Sequence, residues 1–152
     1  QLLSARSKAR KRAVDLMYAA ELRRVPVSEL LAQQPADPPI NPYTIELIDG
    51  VTGNRPRIDE ILGSFAHGWS LDRMPAVDRN VLRLAVFELV FNEDVPDAVA
   101  ITEAVKLVGD LSTDESPAFV NGVLSSVARE RETLRQESTT GPGSGEEESI
   151  PD

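Results

Sequence analysis

Five cations fall within seven residues near the start of the chain: Arg6, Lys8, Arg10, Lys11 and Arg12. Residues 1 to 24 hold seven cations against Asp15 and Glu21, a net +5, which leaves −14 on the remainder of a chain whose total is −9. A basic end on an acidic body points to a local anion site, with nucleic acid as the fitting chemistry, and to separate surfaces for other partners. A solvated charged turn is the alternative. Position argues against it, because cations at a helix N-terminus oppose the helix dipole and repel one another. An external anion relieves that cost, and RNA is the expected one.

Little else in the chain could do chemistry. There is no cysteine, so disulfides, thiol nucleophiles and cysteine zinc sites are excluded, and His67 is the single histidine. Most nucleophilic triads and transition-metal sites fall with them. His67 beside Trp69 reads as a packing or surface residue. Gly50 and Gly53 form no phosphate loop, since they follow no strand and precede no lysine. Asp110, Asp114 and Glu115 lack the alternating ligands and the glycine of a calcium loop. No metal, cofactor or enzymatic activity is expected.

The element that must hold the cations is a helix capped by Ser4 and running from about Ala5 to Arg23. Its apolar stripe is Ala9, Ala13, Leu16, Met17 and Ala20. Arg6 and Arg10 border that stripe, while Lys8, Lys11 and Arg12 fan around the opposite side. Tyr18 and Leu22 project away from the stripe, either under another helix or as an exposed anchor for a protein partner. Val25-Pro26 ends the helix, Val27 to Gln33 reads as a short one, and Gln34 to Pro42 is a proline-rich loop.

The centre of the fold is Pro75 to Phe91. Nine of the eleven residues from Val81 to Phe91 are apolar, interrupted only by Arg83 and Glu88. At about 100° per residue they cover nearly every direction, so other helices must wrap this one. Before it, Pro42 to Ala66 is helical but kinked or divided around Gly50, Gly53 and Pro56. After the turn at Asn92 to Pro96, a helix from about Ala98 to Leu111 carries Val99, Ile101, Ala104, Val105 and Val108, with Thr102, Glu103 and Lys106 on a solvated face.

The last helix starts at Ser116-Pro117, with Val120, Val123, Leu124, Val127 and Leu134 as its buried stripe. Phe119 lies off that stripe, beside Gly122. It offers a face for a nucleobase with backbone access for phosphate, or it staples a loop; the spacing does not separate these. From Ser138 to Asp152 only one residue is aliphatic, so 138–152 is expected to be a disordered acidic tail on a single all-α domain, 1–137. No apolar run is long enough to span a membrane and no signal peptide is visible, so neither membrane insertion nor secretion is expected and the location implied is cytoplasmic.

Four blocks in order, R-S-K-A-R-K-R-A-V-D-L-M-Y from Arg6, V-D-R-N-V-L-R-L-A-V-F-E-L from Val77, V-P-D-A-V-A-I-T-E-A-V-K-L from Val95, and F-V-N-G-V-L from Phe119, resemble the NusB family of bacterial transcription antitermination factors. The resemblance implies about seven helices in two packed subdomains. It implies binding to the boxA element of nascent rRNA leaders with the small-subunit ribosomal protein that acts as NusE, and joining other Nus factors on RNA polymerase. Carried over by position, RNA contacts fall on Arg6, Lys8, Arg10, Lys11, Arg12, Phe119, Asn121 and Gly122, and the NusE-facing surface on Tyr18 and Asp78. Relatives occur as monomers and as homodimers, and a dimer would occlude the basic helix. Two alternatives remain. One is a helical protein-interaction module; the other is an RNA-binding domain like that of rRNA cytosine methyltransferases, although this chain has no cysteine for their covalent step.

Overall fold

The computed structural model describes residues 4–139 and consists, over that span, of helices without a strand. The elements are α1 (Ala5–Arg23), α2 (Val27–Ala32), α3 (Pro42–Gly53), α4 (Arg55–Phe65), a 3-10 turn (Leu71–Arg73), α5 (Ala76–Val86) extended by a π turn (Phe87–Phe91), α6 (Asp97–Leu111), α7 (Ser116–Arg129) and α8 (Arg131–Thr139). The expected helix around which the others pack is α5 with its π turn. Every residue from Asn80 to Val90 is buried there, and α1, α3, α4, α6 and α7 all pack against α5.

Local signals explain most boundaries. The Ser4 hydroxyl caps α1 by accepting from the Ser7 N–H at 3.0 Å. The long helical stretch resolves as two helices: α3 ends at Gly53, and Pro56 sits in the first turn of α4, where a missing N–H costs nothing. Gly50 has a packing reason. A Cβ there would stand 2.2 Å from the Phe87 ring, so only glycine lets α3 approach the π turn.

Three expectations need correction. The C-terminal helix is interrupted at Glu130, and Leu134 is buried from α8 rather than from a continuation of α7. That last helix runs to Thr139, so Ser138 belongs to it; residues 140–152 of the expected tail lie outside the described residues. Val99, counted among the apolar positions of its helix, is 41% exposed. Among the described residues, no helix is long and apolar enough to cross a membrane.

Candidate nucleic-acid interface

The five cations of α1 divide into four that face water and one that does not. Arg6, Lys8, Lys11 and Arg12 are exposed, whereas Arg10 is 2% exposed. Its Nε donates to both carboxylate oxygens of Glu88 at 3.0 Å, across 78 residues of sequence. Glu88 itself is fully buried. The Tyr43 hydroxyl donates to the same carboxylate, and Glu103 lies 3.5 Å from the other side of the guanidinium. A buried carboxylate in a wrapped helix must find a cation, and α1 supplies it. The expected direct RNA contact at Arg10 is therefore corrected: the position on the border of the apolar stripe turns this side chain inward.

The pair anchors α1 against α3, α6 and the π turn. Burial works against the charged guanidinium, but the hydrogen bonds and charge of Glu88 outweigh it and hold Arg10 above the ordinary arginine value. Burial, then the hydrogen bond and charge of Glu88, push the Tyr43 phenol well above the usual tyrosine range. Arg6 lies over the Tyr43 ring, 4.3 Å from its centroid, a cation–π contact that orients one exposed cation from the buried network. Glu103 is thus no part of a solvated face.

The exposed four remain available for an anion. Lys11 makes only an i,i+4 pair with Asp15, itself half exposed, which salt and water weaken. Arg12 donates to the Gln34 carboxamide, a neutral partner. Among the described residues Lys8 meets no carboxylate. Four cations thus stand on one helical turn and a half with little internal neutralisation.

The second patch gathers Trp69 of the loop after α4, Asp78 of α5 and Phe119 of α7. Phe119 packs its ring on Trp69, centroids 5.4 Å apart and tilted by 36°, so the loop-stapling alternative holds in part. The two rings nonetheless line an open pocket of about 130 Å³ with Asp78, Thr113, Glu115 and Ser116. Trp69 is 43% exposed, and Asn121 and Gly122 are exposed on α7. A lone aromatic in a loop carries no period, so nothing in the sequence marks Trp69 as the partner of Phe119. Asp78, expected on a partner-facing surface, is 2% exposed. It accepts from the hydroxyls of Ser112 at 2.6 Å and Ser116 at 2.9 Å, tying α5 to the α6–α7 turn. As a direct surface contact it is corrected; it shapes the pocket floor. Ten residues of α5 and its π turn separate Asp78 from Glu88, about 15 Å along a helix axis, so the Phe119 patch and the Arg10 anchor of α1 meet that helix toward opposite ends.

Tyr18 and Leu22 are uncovered, at 36% and 70% exposure. One turn away, Glu21 accepts from Arg79 and Asn80. Burial opposes its charge, yet Arg79, Asn80 and Arg83 hold Glu21 below the ordinary carboxylate value.

The protein is an all-helical body with exposed cations on its first helix and an aromatic patch where Phe119 of α7 meets Trp69. The chain is a member of the NusB family, whose model matches residues 7–129. The transcription antitermination protein NusB of Nocardioides sp. is 56% identical over 134 residues, spanning 87% of this chain and 99% of its own. That of Saccharopolyspora erythraea is 57% identical over 141 residues, spanning 88% and 95%. The fold matches T. maritima NusB with a TM-score of 0.78 at 30% identity, over 89% of this chain and 99% of that one. A chain in the crystal structure of antitermination factors NusB and NusE in complex with dsRNA matches with a TM-score of 0.71 at 30% identity, over 82% and 96%.

Proposed function

We propose that this protein is a non-catalytic RNA-binding antitermination factor that binds a boxA-type segment of nascent rRNA leader transcripts together with the ribosomal protein NusE, and so joins other Nus factors on RNA polymerase to keep elongation processive. Family membership and the NusB–NusE complex with RNA support the reading. The observation that carries it is the exposed quartet Arg6, Lys8, Lys11 and Arg12, held on a helix that the buried Arg10–Glu88 pair fixes in place. The quartet neutralises phosphates and supplies sequence-independent affinity. Phe119, with Trp69 beside it, stacks on a splayed base, and Asn121 and Gly122 take polar and backbone contacts. Tyr18 and Leu22 are the apolar anchors offered to NusE. A homodimer through the basic helix would compete with RNA.

The test is fluorescence anisotropy with a boxA-like single strand, a scrambled strand and a duplex of the same sequence, each with and without NusE. Preference for the boxA strand, tightened by NusE, supports the reading. Equal binding of all three leaves only an electrostatic module.

A further inference from the structure

Beside the basic quartet lies an open groove of about 370 Å³ between α1 and the proline-rich loop, residues 34–41. One side carries Lys8 and Arg12. The other is formed by Pro35, Pro38, Pro39 and Ile40. We propose that this groove is a nucleotide subsite, taking one base of a single-stranded RNA flat against the proline wall with its phosphate on Lys8 and Arg12. The proposal rests on the RNA-binding reading above and adds to it a site on the loop, where none of the expected contacts fell.

Three features select that occupant. The size falls in the range of about 300–1,000 Å³ that small-molecule sites occupy, too large for a phosphate alone. The cations are uncompensated: Arg12 is oriented by Gln34, whose own amide nitrogen donates to the Leu30 carbonyl at 3.0 Å, and one hydrogen bond leaves most of the guanidinium donors free. Asp37 is the loop's only acid, and it does not line the groove. The wall, finally, is mostly apolar. Prolines have no N–H to offer a peptide carbonyl, whereas their rings and the Ile40 side chain present an apolar face to a base.

The groove is also held in place. The Asn41 side chain accepts from the Tyr43 N–H at 2.8 Å and caps α3, and the buried Thr44 hydroxyl donates to the Ala9 carbonyl at 2.9 Å. The loop's C-terminal end is therefore fixed to the helix that carries the cations. An acidic segment, such as the Glu146-Glu147-Glu148 run of this same chain, has the charge for Lys8 and Arg12 but nothing flat for the wall.

The experiment is NMR on the full isotope-labelled chain, following the Ile40 methyl and Thr44 amide resonances. The probes are an adenylate octamer, inorganic phosphate and an acetylated tri-glutamate amide, with octamer binding measured separately by anisotropy. The octamer should move both resonances saturably, and the Lys8→Gln/Arg12→Gln double variant should need at least ten times more octamer. Phosphate should leave the Ile40 methyl in place. If the octamer binds by anisotropy but leaves Ile40 and Thr44 unmoved, the subsite is wrong while the RNA reading stands. Tri-glutamate shifting both as far as the octamer would make it an acidic-peptide site and overturn the proposal. An octamer that fails to bind at all overturns the subsite, while the boxA strand in the anisotropy experiment above decides the RNA reading.

Discussion

Replacing Arg10 with alanine separates the structural cation of α1 from the exposed ones. Glu88 would keep the Tyr43 hydroxyl but lose the only cation it has among the described residues, at a site with no water access. Removing one partner of a buried pair costs about 3–5 kcal/mol, mostly the desolvation of the charge left behind. For a domain of this size each kcal/mol moves Tm by about 3–4 °C, so Arg10→Ala should melt about 10–20 °C lower. The double variant Arg10→Met/Glu88→Met buries no charge and should be more stable than Arg10→Ala, staying about 1–3 kcal/mol below the parent because the Tyr43 hydroxyl loses its acceptor. Urea unfolding followed by far-UV circular dichroism measures all three proteins. A loss of less than about 1 kcal/mol in Arg10→Ala, or a double variant no more stable than the single one, would refute the buried pair as the anchor of α1.

Gly50→Ala gains helix propensity worth about 1 kcal/mol, but its methyl meets the Phe87 ring; the overpacking cost of about 1–3 kcal/mol should win, read as a lower urea midpoint. The Tyr43 phenol is raised above the tyrosine value of 10.0, so its contribution is complete below that pH, where both states keep the proton. As pH rises further the unfolded chain ionises first and native stability falls; Tyr43→Phe should flatten this alkaline limb while costing about 1.5–3 kcal/mol at neutral pH, the worth of a hydrogen bond to a charged group. Phe119→Ala should weaken cognate RNA by about 1–3 kcal/mol in anisotropy, with unchanged affinity removing Phe119 from the RNA surface.

The sequence is most legible where period and capping act locally. Ser4, the alanine and leucine stripe and Val25-Pro26 define α1 to the residue, because each acts within one turn of the helix it bounds. The wrapped centre at Val81 to Phe91 is equally plain, since an apolar run without a polar face has only one place to go. What stays hidden is pairing between distant segments. Glu88 in that run demands a cation, but nothing local says that Arg10 rather than Arg6 answers it; forty degrees of helix rotation decides. Trp69 and Asp78 are hidden for the same reason. Their partners, Phe119 and the serines of the α6–α7 turn, come from elements that only the tertiary fold brings together.

The central claim is that RNA affinity comes from the exposed quartet and not from the buried fifth cation. The most direct measurement is the slope of log K against log salt for a boxA-like single strand, in the parent, Lys8→Gln/Arg12→Gln and Arg10→Met/Glu88→Met. With about 0.7 per phosphate contact on a single strand, four contacts give a slope near −2.8. The Lys8/Arg12 variant should lose about half of it, and the Arg10/Glu88 variant none. A slope that flattens with Arg10/Glu88 as much as with Lys8/Arg12 would contradict the account.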